Sequence, residues 1–380
     1  MAHIVETPSP KIKKLNWVNI GWLFGSPIAA VALVTYHMLH HGFQPWAWIA
    51  FAVTWPLTAI SITAGYHRLI AHRSYSANPF LKFCYLVLGA AAFEGSALEW
   101  ATDHRRHHRE VDTDGDPYNI NQGFFYAHMG WLFWKDQRNY PIPPDLANDR
   151  LIMWQDKYFV PLAIGVGLLL PCFIGSLFGQ GLAGFAYVGF MRVVFCQHST
   201  FLINSACHYV GRQPYNLKNT ARDSFLMAFF ACGEGYHNFH HRFQTDYRNG
   251  FRWYHWDPAK WVIRLASYMG WAYDLKRVPY PVILKAKMQI DHVRMVERGA
   301  PVERLQVLNQ RVEEAQLKWR AMKEDYRRLK ANVQANSRRR LVNLKAELKV
   351  ARLEFKMSCA QWVAYGKTYK AAGAYSRGLA

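Results

Sequence analysis

The longest stretches without a charged side chain set the frame of this chain. From Leu15 to Tyr66 there is no Asp, Glu, Lys or Arg, and one helical crossing of a bilayer takes about 20 apolar residues. The run holds two crossings, broken at His40-His41-Gly42 ahead of Pro45. A second charge-free run goes from Tyr158 to Met191 and continues past Arg192 to about Asn204, divided near Gly179-Gln180-Gly181. It predicts two more. The spans, at about 17–39, 45–66, 158–178 and 182–203, form two helical hairpins. Arg192 falls inside the last one, where a cation costs roughly 2.5–3.5 kcal/mol on insertion scales. It should therefore face the bundle interior or snorkel. Phe80 to Leu98 is apolar but carries Lys82 and Glu94, and reads as a helix buried at the interface or against the polar domain.

Beyond Pro301 the pattern changes. Leu305, Leu308, Val312, Ala315, Trp319, Met322, Tyr326, Leu329 and Val333 recur in steps of three and four, a heptad seam. After Asn336-Ser337-Arg338-Arg339-Arg340 the seam resumes one residue out of phase at Leu341, Leu344, Leu348, Ala351 and Phe355. Either one long helix adjusts there or two helices fold back on each other. Such an arm could pack on its own protein, make a homo-oligomer, or rest its excess Lys and Arg on anionic headgroups.

The expected architecture is all-α: an integral membrane protein of four transmembrane helices, a cytoplasmic helical cap, and a C-terminal coiled-coil arm. Its segments are 1–14 (N-terminal), 15–299 (membrane domain, with the cap from 67–157 and 204–299) and 300–380 (basic extension). The tips of both hairpins lack Lys and Arg, whereas Lys11, Lys13, Lys14, Arg68, Arg73, Arg105, Arg106, Arg109, Lys157 and Arg212 lie at the opposite ends. The positive-inside rule then puts both termini and the long segments in the cytoplasm. Met1 to Lys14 is polar and predicts no cleavable leader.

Composition adds three points. The 15 Trp and 21 Tyr suit side chains at a membrane–water boundary. A formal charge of +20 calls for an anionic partner, but no nucleic-acid-binding motif is present, so nucleic acid is excluded. Six cysteines without a C-x-x-C pair predict buried free thiols in a reducing compartment.

Of 17 histidines, nine fall into four clusters. They are His67 and His72; His104, His107 and His108; His208, with Asn204 one turn before it; and His237, His240 and His241. In His-x-x-His-His the residues i, i+3 and i+4 share one helix face, so three imidazoles can converge on one or two metals. His67 and His72 do not fit this scheme, since i and i+5 stand about 140° apart on a regular helix; one of them must sit where the helix bends or ends, or they face opposite sides of a shared site. All nine map to the cytoplasmic side. His37-Met38-Leu39-His40-His41 has the same spacing but lies at the other face of the membrane, which excludes it. Nine ligands exceed the four of a tetrahedral zinc and suit two metals, though imidazole alone does not choose between iron, zinc, copper and nickel. Only Glu234-x-x-His237 matches the paired motif of soluble diiron carboxylate proteins, so that class is excluded. His128, His198, His255 and His292 are isolated and read as structural. Asp112 to Pro117 imitates a calcium loop but lacks its Gly and distal Glu, and reads as a turn.

At these clusters the chain resembles the membrane-bound acyl-CoA desaturases of the stearoyl-CoA (Δ9) type. The matching stretches are Ile62 to Leu69, Glu99 to His108, Asp116-Pro117, Gly123 to Trp131, Asn204 to His208 and Gly233 to His241; the similarity runs over roughly Asn16 to Lys276 and leaves out the tail beyond about Gly299. The resemblance implies that the nine histidines bind two Fe ions, with Asn204 completing the set through a water, and that O2 is co-substrate. It implies a saturated fatty acyl thioester, acyl-CoA, as substrate, held in a bent tunnel below the irons, and a cis double bond as product.

Glu99, Asp103, Asp223 and Glu234 are candidates for orienting the imidazoles, and Phe51 and Trp55 for closing the tunnel. Arg73, Arg105, Arg106, Arg109, Lys157 and Arg212 are available to the acidic head of the substrate. No heme-binding module or iron–sulfur cysteine set is seen, so electrons are expected from a separate donor of cytochrome b5, ferredoxin or rubredoxin type. A lipid or alkane hydroxylase with the same iron site is the alternative. The expected location is the inner or plasma membrane of a bacterium, or the endoplasmic reticulum of a eukaryote.

Overall fold

A computed structural model describes residues 14–135, 141–331 and 338–375. The polar N-terminal segment with Lys11 and Lys13, the end of the first seam at Val333 and the start of the phase shift at Asn336-Ser337 lie outside the described residues. The rest is mostly helical, with connecting loops and a two-stranded antiparallel ladder of Ser76–Ala77 with Ala272–Tyr273.

Three described helices are long and apolar enough to cross a membrane: Trp17–His41, Pro45–Ala71 and Phe159–Ser176. Local chemistry sets their ends. The Asn16 side chain accepts from the Asn19 N–H at the start of the first helix. Gly42, at φ 70°, turns the chain after His41, and Pro45 supplies a preset φ at the start of the second. A further helical run covers 181–204 and includes Arg192, Gln197 and His198 among its apolar residues.

Arg192 faces inward, only 2 % exposed. Its guanidinium donates to the carbonyls of Val188, Ala91 and Gly167 and to the Thr58 hydroxyl, at 2.7–3.1 Å. One cation thus joins four segments, and its own donors are satisfied in a low-dielectric interior.

The second apolar helix changes pitch. Its last turns, Ser61–Ala71, wind as a π-helix, and every residue there is buried. Two glycines let it approach the next helix, Pro79–Ala90: a Cβ on Gly65 would lie 2.6 Å from the Tyr85 Cβ, and one on Gly89 would lie 2.5 Å from the Tyr66 ring. Ser96 caps the following helix, Ala97–Glu110, by accepting from the Glu99 N–H.

The described chain forms two compact units, 1–213 with 217–278, and 214–216 with 279–380. In the second, the helices Tyr280–Val296, Val302–Ala331 and Arg338–Tyr375 pack around Met295, Leu305, Leu308, Val312, Phe355 and Trp362. Val302–Ala331 and Arg338–Tyr375 fold back on each other, with Lys318 bonded to Glu354 and Trp319 stacked on Phe355.

Candidate metal centre

Four segments of the first unit carry the nine clustered histidines: the π-helical end of the second apolar helix, Ala97–Glu110, Ala206–Tyr209 and His237–Arg242. The π-helix brings His67 and His72 to one side. Its i→i+5 hydrogen bond, from the His72 N–H to the His67 carbonyl at 2.9 Å, winds fewer degrees per residue than an α-helix. Their ring centroids are 4.7 Å apart.

The imidazoles divide into two groups: His67, His72, His104, His108 and His240; and His107, His208, His237 and His241. Within each group the available ring nitrogens all lie within 4.8 Å of one another. Nitrogens at about 2.1 Å from a common divalent ion are at most about 4.2 Å apart, so both groups come near the size of a metal's coordination shell. The converging atoms are Nε2: His67 to His240 is 3.0 Å, His72 to His104 is 2.9 Å, and His208 to His237 is 3.0 Å. The His104 helix serves both groups, because His104 and His108 join one and His107 the other. The His237 helix divides likewise.

Neighbours stand behind the opposite ring nitrogens of several imidazoles, while those of His108, His237 and His240 have no hydrogen-bond partner among the described residues. His67 Nδ1 is 3.0 Å from a Glu234 carboxylate oxygen. His107 Nδ1 lies 2.9 Å from Asp116 Oδ1. His104 Nδ1 meets the Tyr118 hydroxyl, and His208 Nδ1 meets Thr220 Oγ1, which itself bonds Asp112. A hydrogen bond at Nδ1 leaves the Nε2 lone pair free for a metal.

Glu234 also accepts twice from Arg68, which reaches Asp257 as well. Burial would push the Glu234 carboxyl up, but His67 and Arg68 hold it below the usual range. Burial, reinforced by neighbouring charges, holds His72, His104, His108, His208, His237, His240 and His241 well below the usual imidazole range. Neutral imidazole is the form that ligates a metal. Two all-nitrogen donor sets, with the back nitrogens of His67, His104, His107 and His208 supported, fit metal ions.

Beside the first group runs a cavity of about 1120 Å³. His104, Asn204, Glu99 and Asp103 line it, with Trp22, Phe93, Leu168 and Phe201 along apolar walls and Arg106 and Lys135 among its polar residues.

Other residues singled out by sequence fall elsewhere. Asp223 does not touch an imidazole; its carboxylate accepts from the Phe239 N–H, and burial pushes it up to about 7. Arg105 is engaged by Asp145 and by the carbonyls of Ile70 and Ala71. Phe51 and Trp55 pack against Phe195, apart from the cavity's lining. His128 and His198 bond each other, and neither belongs to a metal group. Sequence reasoning missed Asp112, Asp116, Tyr118, Thr220 and Lys135. Asp112 and Asp116 were legible only as a turn, although an acid eight or nine residues after His104 and His107 was the available signal.

Long apolar helices together with two convergent all-histidine nitrogen clusters that could hold metal mark a membrane protein with a candidate metal centre. Residues 44–277 match the family model described as fatty acid desaturase, and the chain belongs to that family. It is 40% identical over 319 residues to a probable acyl-CoA desaturase of Schizosaccharomyces pombe, covering 80% of this chain and 66% of that one. Acyl-CoA desaturase 1 of Saccharomyces cerevisiae is 40% identical over 309 residues, 79% of this chain and 60% of the yeast protein. The stearoyl-CoA desaturase of Homo sapiens is 34% identical over 304 residues, 73% of this chain and 79% of the human protein. The chain thus spans about two thirds or less of the length of the two yeast relatives.

Proposed function

We propose that this protein is an O2-dependent fatty-acyl desaturase that places a cis double bond, at Δ9, in a saturated acyl chain carried as acyl-CoA. The observation that carries the reading is the meeting of five and four imidazoles beside a cavity of about 1120 Å³. The names of the yeast and human relatives point to the same substrate class.

In this reading the ions are iron. His67, His72, His104, His108 and His240 hold one, and His107, His208, His237 and His241 hold the other, with Asn204 acting through a water. An unactivated CH2 cannot be deprotonated, and a bound iron pair supplies the oxidising power that removes two vicinal hydrogens with O2 as oxidant. The chain's own residues do the rest. Glu234, Asp116, Tyr118 and Thr220 fix the imidazole rings. Trp22, Phe93, Leu168 and Phe201 exclude water and hold the acyl chain against His104, and Arg106 and Lys135 offer cations to an acidic head group.

The reading includes four crossings, the fourth being 181–204, with the histidines and both termini in the cytoplasm. The membrane is the plasma or inner membrane of a bacterium, or the endoplasmic reticulum of a eukaryote. Electrons come from a separate donor of cytochrome b5, ferredoxin or rubredoxin type. The test is expression in a desaturase-deficient host, with double-bond positions read by mass spectrometry. A Δ9 monounsaturated chain, two hydrogens lighter than its precursor, is expected. A product one oxygen heavier would replace desaturation by hydroxylation.

A further inference from the structure

The heptad seam accounts for only one face of Arg338–Tyr375. Phe355 and Trp362 turn inward to the core of the second unit, and Ala351 is buried as well. On another face lies a second row, Ala346, Val350, Leu353, Met357, Ala360 and Ala364, again in steps of three and four. All six are exposed, Val350, Leu353 and Met357 by 55–57%. A hairpin needs one apolar seam on each helix. The second has no partner among the described residues.

A row of cations accompanies it. Lys345, Lys349, Arg352 and Lys356 each come one position before a member of the apolar row. One residue is about 100° around a helix, so the two rows run side by side. All four cations are exposed, and no carboxylate among the described residues pairs with them. The other flank of the apolar row carries Asn343, Glu347 and Glu354, and Glu354 is engaged by Lys318. Between Lys345 and Met357 positive charge is therefore confined to one side of the exposed apolar row, while Arg340, in heptad register with Glu347 and Glu354, is exposed on the other flank. Residues 279–380 hold 22 Lys and Arg against 9 Asp and Glu, so a second copy of this arm would meet like charge. An apolar row edged by cations is the pattern of a helix lying in an anionic lipid interface.

We propose that the outward face of Arg338–Tyr375 lies on an anionic phospholipid surface, with Val350, Leu353 and Met357 in the headgroup–acyl boundary and Lys345, Lys349, Arg352 and Lys356 on the phosphates. The same chain carries three helices able to cross a membrane, and this covalent link keeps the arm at high effective concentration near a bilayer. One near-surface cation improves partition about fivefold, so four give on the order of several hundredfold.

The test uses the full chain with a benzoylphenylalanine photocrosslinker replacing Leu353 or Met357. The protein is reconstituted into vesicles of phosphatidylcholine alone or of phosphatidylcholine mixed with phosphatidylserine, and adducts are read by mass spectrometry. Lipid adducts at both positions are expected in the mixed vesicles and strongly reduced in the neutral ones. Raised salt should lower the yield in the otherwise unaltered chain. The variant K345E/K349E/R352E/K356E should lose the adduct in mixed vesicles while keeping its helical content. The same probe at Glu347, on the acidic flank, should give little lipid adduct. Equal yields in neutral and anionic vesicles would overturn the proposal, as would adducts joining two protein chains, or no adduct in either lipid.

Discussion

The sequence His-x-x-His-His occurs three times in this chain, and the occurrences have opposite fates. At His37, His40 and His41, the first ring is buried and edge-on to Tyr187, while the other two are exposed, with His40 bonded to the carbonyl of Tyr36. Both nitrogens of His37 lack a hydrogen-bond partner among the described residues, and no metal group forms there. At His104, His107 and His108, and at His237, His240 and His241, the same spacing meets a second helix, a π-helical turn, and acids or hydroxyls behind several of the rings. The spacing gives a helix one imidazole face. A centre needs several such faces to converge, with a supported back nitrogen on the rings that carry the ligand lone pairs.

The strongest way to break the contrast is to remove one converging ring. His104→Ala or His240→Ala should lower desaturated product at least 100-fold in the deficient host, and purified protein should lose bound metal; this expects the bound ions to supply the chemistry. Unchanged product would discredit the assigned centre.

A second expectation concerns the metal-stripped protein in acid. Seven of the rings resist protonation when folded, whereas in the unfolded chain they titrate near about 6.5. The unfolded state therefore binds more protons below that pH, and stability is held above it and lost as pH falls through it. The loss is at most about 1.4 kcal/mol per histidine per pH unit. Melting temperatures at a series of pH values would measure it, and a flat profile would contradict buried neutral rings.

Weakening the support behind the rings should do less. Glu234→Gln or Asp116→Asn is expected to cost about 10–100-fold in metal affinity, read by competition with a chelator. The smallest effect belongs to the isolated motif. His40→Ala with His41→Ala should leave metal content unchanged and product within about twofold, since exposed substitutions away from special features change stability by less than about 0.5 kcal/mol. A loss of metal there would erase the distinction between the two regions.

Much of this was readable along the chain. Charge-free runs marked the apolar helices, because bilayer-length burial of apolar side chains leaves a signal in any single segment. The nine histidines were visible through spacing and clustering, and the cost of a cation in an apolar interior left Arg192 to face the bundle interior or snorkel, of which the structure shows the first. The π-helix that brings His67 and His72 together was not readable. A π-helix depends on packing as close as that of Gly65 against Tyr85 and Gly89 against Tyr66, contacts that lie about 20 residues apart. Nor was the role of Asp112 and Asp116, whose local pattern announced a turn and whose function depends on His107, His208 and Thr220.

Sequence by itself determined which residues were available: the apolar helices, the imidazole faces and the two rows on the last helix, all products of local periodicity. Tertiary structure alone decided the partition of nine rings into five and four and the acids and hydroxyls that hold several of their back nitrogens. Local periodicity fixes the direction in which a side chain leaves its own helix. The meeting of ring nitrogens within a few ångströms depends on the packing of helices far apart in the chain, which no single segment encodes.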